Sequence, residues 1–147
     1  MRARGWEILE RIRAGETLVF DGGYGTVLFA AGLANGACPE LWNDTHADVV
    51  RGIHRGYFDA GSQIVETNTF GATRLKLDEY RIGARTRELN EKGARLARAA
   101  APGGGYIAGS IGPTSRLPRD YALDAGVTDE EYVATFREQA AALAEGG

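Results

Sequence analysis

The sequence predicts an α/β fold with parallel strands, on two observations. Short apolar runs alternate with helical segments three times over, and every run finishes in polar residues, as strands do when they deliver side chains to one edge of a sheet. Strands separated by such segments pair in parallel through right-handed crossovers, which leaves a doubly wound sheet or a β/α barrel. Periodicity alone does not choose between these two. A chain of 147 residues fits a single domain over 1–147, with no second domain.

Residues 6–14 place Trp6, Leu9 and Ile12 at helical spacing, a short amphipathic helix ending at Gly15 that reads as a cap under the first strand. TLVFDGG (17–23) is the first strand, with Asp21 at its tip. GTVLFAAGL (25–33) gives one or two helical turns closed by Gly32, and 34–43 is a loop. Asn43, Asp44 and Thr45 are all candidate N-caps for a helix that puts Val49, Val50, Ile53 and Tyr57 on one face and stops at Gly61. SQIVETNTF (62–70) is the second strand. A short helix around ATRLKLDEY leads to a longer one in which Leu89, Gly93, Leu96, Ala97 and Ala100 form a stripe of mostly small residues. Pro102 and the following glycines end it. GYIAGSIGP (105–113) is the third strand. After a polar loop (114–127) the last helix, from Asp129, carries Tyr132, Val133, Phe136, Ala140 and Leu143 on one face.

Composition narrows the function classes. Apolar residues make up 44%, charged residues 25% and the net charge is -3, which describes a folded chain without a basic surface for nucleic acid or an anionic membrane. No 18-residue apolar run and no signal-peptide pattern occur, so neither a membrane span nor export by that route is expected. The single cysteine, Cys38, cannot form an internal disulfide and fits a reducing cytoplasm.

Three clusters lie at or beyond strand ends: Asp21 to Thr26, Glu66 to Phe70, and Gly109 to Thr114. In both candidate folds ligands bind at that edge. Gly22 and Gly23 would let backbone N–H groups approach a carboxylate, with Asp21 available for an ammonium group, and an amino acid asks for both. Asp21 serves equally as a helix cap beside a tight turn. Glu66 and Asn68 are candidate ligand contacts, although face alternation along a strand favours a rim hydrogen-bonding role for Glu66. No dinucleotide or phosphate-loop motif is complete. His46 and His54, eight apart, are too far for a metal pair on one helix and read as surface or helix-edge residues. Cys38 has no evident base beside it and reads as a structural thiol.

FDGGYGT (20–26), DVVRGIHRGYFDAG (48–61), IVETNTFGATR (64–74) and AGSIGPT (108–114) together resemble, in order and spacing, the start of the homocysteine-binding domain of the homocysteine S-methyltransferase family, as in cobalamin-dependent methionine synthases. The resemblance covers the chain from residue 17 onward. It implies a (β/α)8 TIM barrel, of which about the first three βα units are present, and an enzyme that makes methionine by methyl transfer to a zinc-activated homocysteine thiolate. By the same resemblance Asp21 holds the substrate ammonium and the amides around Gly22 and Gly23 lie near its carboxylate. Thr26, Glu66 and Asn68 complete the candidate substrate-binding set, with no catalytic residue assigned in this stretch.

Zinc is expected on cysteines outside the chain, since Cys38 matches none of the family's ligands, and methylcobalamin is the expected donor. The betaine-using branch carries a tyrosine where this sequence has Gly71, which favours the cobalamin or folate-linked branch. Expected partners are homocysteine and either the missing barrel half or downstream folate and cobalamin domains. By itself this stretch is expected to be inactive and prone to self-association. Alternative readings are a half-barrel assembly module that depends on a partner, and an unrelated amino-acid-binding α/β enzyme.

Overall fold

Strand pairing is sparse in this fold, yet it fixes where the site can form. The computed structural model describes residues 5–118 and 126–147. β1 (Ile64–Glu66) and β2 (Tyr106–Ala108) pair in parallel, Ile64 opposite Tyr106, Val65 opposite Ile107 and Glu66 opposite Ala108. On the other side of β1, Phe20 makes one parallel bridge to Ile64. Three parallel segments thus run side by side, so Asp21, Glu66 and Ser110 come to the same edge.

The first strand, expected over 17–23, is reduced to that bridge. The N–H of Val19 donates to the Gln63 side chain at 3.1 Å instead of to backbone, and the Val19 carbonyl accepts from both Gln63 and Ile64 N–H at 2.8 and 3.2 Å. The ladder resumes only where Asp21 N–H reaches the Ile64 carbonyl at 3.0 Å. Val19 and Phe20 stay half-exposed, at 52% and 50%. The other two expected strands shorten to three residues each.

Helices surround this strip: α1 (Gly5–Arg13), α2 (Tyr24–Ala30), α3 (Trp42–Thr45), α4 (Ala47–Asp59), α5 (Arg74–Leu77), α6 (Thr86–Ala100) and α7 (Asp129–Gly146). α4 buries Val50, Ile53, His54 and Phe58, one helical face. It ends where Gly61 takes φ +107° and its N–H returns to the Phe58 carbonyl. α6 packs against both α4 and α7. Its small residues permit the approach: a Cβ on Gly146 of α7 would stand 2.7 Å from Ala94 Cβ. Thr128 and Glu131 close the start of α7 with a reciprocal capping box. Three apolar clusters fill the interior, around Leu28, Trp42 and Val50, around Cys38, Leu77 and Leu89, and around Phe58, Val65 and Ala97.

Several expectations are corrected. The apolar face of α1 is open, with Trp6, Leu9 and Ile12 all exposed. Asn43 caps no helix; it is buried, while Asp44 pairs with Arg85 and Lys92 and His46 stands at the N-cap of α4. His54 is fully buried instead of lying at the surface. The inner face of α7 is Thr135, Gln139, Ala142, Leu143 and Gly146, so the helix is rotated from the apolar reading and Val133 is exposed. Of the polar loop 114–127, residues 119–125 lie outside the described residues.

Candidate functional site

At the shared strand edge lies a cleft of about 300 Å³ lined by residues of all three segments, among them Asp21, Gly22, Tyr24, Glu40, Glu66 and Ser110. A larger open groove of about 460 Å³ runs along α2 and α4, but its lining is apolar apart from Tyr57, whose hydroxyl donates to the Gly23 carbonyl at 3.2 Å. Hydrogen bonds join the three strand tips. The Asp21 carboxylate accepts the Glu66 N–H at 2.9 Å, and Glu66 Oε2 accepts the Ser110 hydroxyl at 2.8 Å. Behind them Ser110 N–H donates to Thr67 Oγ1 at 3.0 Å, and Thr69 Oγ1 donates to the Ser110 carbonyl at 2.8 Å. Asp21 therefore ties strands together and caps no helix, since Gly23 precedes α2 with no side-chain cap.

Electrostatics follow burial. Partial burial lifts the Asp21 carboxyl above its ordinary range and the nearby Glu66 charge adds to the effect, while the Glu66 N–H opposes it. Tyr24 is raised by burial and by Asp21 and Tyr57. Its hydroxyl is 3.4 Å from Nε2 of His54. Burial alone pushes His54 down to about 4, so the imidazole is neutral near pH 7.

The expected site residues separate into two groups. Asp21, Gly22, Glu66 and Asn68 line the cleft. Gly23 and Thr26 do not; the Thr26 hydroxyl donates to the Gly23 carbonyl at 2.8 Å and shapes the turn. Asn68 is constrained, because its amide donates to the Pro39 carbonyl at 2.8 Å and to Asn43 at 3.0 Å.

Glu40 escaped the sequence reading. It is 5% exposed, lines the cleft, and accepts the Gly71 N–H at 2.7 Å and the Cys38 S–H at 3.3 Å. A Cβ at residue 71 would lie 2.8 Å from Glu40 Oε1, which gives Gly71 a physical reason. Burial and the Glu40 charge push the Cys38 thiol up to about 12, which suits an inert thiol. The available signal for Glu40 was a lone carboxylate inside the apolar phrase ACPELW.

Fold and cleft define an α/β protein with a ligand-sized site at the carboxyl ends of parallel strands. The family model for homocysteine S-methyltransferase matches residues 18–147, and the chain belongs to that family. It is 42% identical over 113 residues to methionine synthase of Mycobacterium tuberculosis, covering 69% of this chain and 10% of that protein. With methionine synthase of Mycobacterium leprae it shares 38% identity over 124 residues, covering 76% and 10%. The metallated form of the homocysteine methyltransferase MmuM from Escherichia coli superposes with a TM-score of 0.71 at 25% identity, over 95% of this chain and 54% of that one. Its oxidized form gives 0.67 at 27%, over 88% and 50%. The chain thus spans about a tenth of those methionine synthases and about half of the solved homocysteine methyltransferase. Among the described residues no helix is long and apolar enough to cross a membrane.

Proposed function

We propose that this chain supplies the homocysteine-binding part of a methyltransferase barrel that makes methionine, its three parallel segments being the first strands of a (β/α)8 barrel. The observation that carries this reading is the strand-tip cleft, where Asp21 and Glu66 stand without a lining lysine or arginine and so favour a cationic group. The ammonium of an amino acid fits between them. The backbone at Gly22, which lines the cleft, would offer its amides to the carboxylate, which leaves the thiol to extend toward the donor. In that role the chain's own residues bind and orient; Asp21 receives the ammonium and is itself held by the Glu66 N–H.

Zinc, implied by the family, does not fit the residues in hand. Among those described, no three His, Cys, Asp or Glu side chains gather to hold a metal, and the Cys38 thiol is buried and held protonated by its surroundings. Methylcobalamin as donor, a cytoplasmic setting and folate or cobalamin partner domains belong to the same proposal, supported by the likeness to methionine synthases. A second reading, an assembly module completed by another polypeptide or copy, is favoured by the half-exposed Val19 and Phe20.

Calorimetric titration of homocysteine tests the first reading. Asp21→Asn should weaken binding by about 1.5–3 kcal/mol, the worth of a charge-assisted hydrogen bond, while the retained oxygen still accepts the Glu66 N–H and stability holds. Unchanged affinity with lowered stability would mean that Asp21 is only a strand tie.

A further inference from the structure

Past the end of β1 the chain turns through Thr67–Ala72, and this rim forms one wall of the cleft through Thr67, Asn68, Thr69 and Phe70. Its carbonyls are taken up mainly by buried carboxamides from the helices behind it. Asn43 of α3 donates to the Asn68 carbonyl at 2.8 Å and to that of Leu89 at 3.1 Å. Gln139 of α7 donates to the Thr69 carbonyl at 2.7 Å and to Asn90 Oδ1 at 3.2 Å. Asn90 of α6 donates to the carbonyls of Ala72 at 2.8 Å and Thr86 at 2.7 Å. Asn43 is 1% exposed; Asn90 and Gln139 are at 0%.

Core packing does not explain Gln139. Its Oε1 is buried without a hydrogen-bond partner, and an apolar side chain of the same shape would remove that unpaired acceptor. What the carboxamide does supply is a donor aimed at the rim from a helix residue seventy positions downstream in the chain. Within the turn itself Thr69 N–H reaches the Thr67 carbonyl at 2.9 Å and Ala72 N–H the Thr69 carbonyl at 3.0 Å. The third strand segment ties Thr67 and Phe70, Gly112 N–H donating to the Phe70 carbonyl at 2.9 Å, and Glu40 accepts the Gly71 N–H at 2.7 Å. On the helix side the carboxamides are therefore what hold the Asn68, Thr69 and Ala72 carbonyls. Fixing the carbonyls from outside restricts the backbone on which the wall residues stand.

We infer that Gln139, acting with Asn90 and Asn43, is a positioning residue of the binding cleft, setting the Thr67–Phe70 wall against which an amino-acid ligand packs. This rests on the homocysteine reading for the ligand, but not for the bracing. Gln139→Met keeps shape and burial and deletes the donor. Amide hydrogen exchange, urea denaturation and homocysteine titration would be measured on the variant and the parent chain.

Losing one such hydrogen bond should speed exchange at Gly71 and Ala72 by about three- to tenfold, with homocysteine affinity lower by a similar factor. Exchange at Leu89 and Ala97 in α6 should hold and the urea midpoint should move little, because the Asn90 Oδ1 left without its Gln139 donor is offset by removal of the unpaired Gln139 Oε1. A merely structural role would instead lower the midpoint and speed exchange throughout. Unchanged rim amides overturn the inference, as does faster exchange that appears equally throughout α6 together with a lowered midpoint. Should Gln139→Met fail to fold, Asn90→Ser applies the same reading at Ala72. A parent chain that binds no homocysteine defeats the ligand assignment alone, and rim exchange then decides the positioning role.

Discussion

Replacing Gly93 with alanine sets two effects of opposite sign against each other at the back of the cleft. In a helix interior the change gains about 1 kcal/mol from backbone propensity. Here the new methyl would stand 2.6 Å from Thr69 Cγ2 and 2.8 Å from Asn43 Nδ2, both well inside contact distance. Asn43 is 1% exposed and its Nδ2 is held by two carbonyls at 2.8 and 3.1 Å. It can yield only by giving up one of them. A buried acceptor left unpaired costs about 1–3 kcal/mol, and overpacking adds about 1–3 kcal/mol. After the propensity gain, a net loss of about 3 kcal/mol is expected. Urea denaturation followed by tryptophan fluorescence should move the midpoint down by on the order of 1 M or more at unchanged slope. A variant as stable as the parent, or more so, would refute the argument, because Asn43 and Thr69 would then be free to shift and the rim would not be pinned.

Acid should weaken the fold through His54. Its folded pKa of about 4 lies below the ordinary 6.5, so between those values the unfolded chain binds more protons. Stability is therefore full above pH 6.5 and falls as pH drops toward 4, by about 3 kcal/mol at 1.36 kcal/mol per unit. Urea midpoints across this window measure it, and a His54→Leu variant should lose most of the slope; an equal slope in both assigns it to other groups. Self-association is expected from the exposed Trp6, Leu9, Ile12, Val19 and Phe20. Light scattering should give a dimer or larger species, and a compact monomer that binds no hydrophobic dye would contradict this.

Much of the architecture was legible because periodicity reports burial. Helices α4, α6 and α7, the polar strand ends and the place of the cleft all follow from it, and Asp21, Gly22, Glu66 and Asn68 meet at that cleft. Where polar side chains do the packing, the pattern misleads. Gln139 and Thr135 on the inner face of α7, Asn43 beneath the rim, and His54 beside Tyr24 are buried by long-range hydrogen bonds or by neighbours distant in sequence. No local rule anticipates those. The first strand failed for a related reason: Gln63 competes through its side chain for the backbone donor of Val19. Glu40 went unseen because its partners, Cys38 and Gly71, are brought together only by the fold.

If the strand-tip cleft takes the amino-acid end of homocysteine, amide-resolved NMR titration of this chain with homocysteine will show it most directly. Binding there should shift the amides of Gly22, Gly23, Glu66 through Phe70 and Ser110 together, along one saturable curve, with the α4 surface at Gly52 and Gly56 unmoved. Methionine lacks the thiol but keeps the ammonium and carboxylate, so it should move the same set. Shifts confined to other surfaces, or none at millimolar homocysteine with the fold intact, would contradict the account.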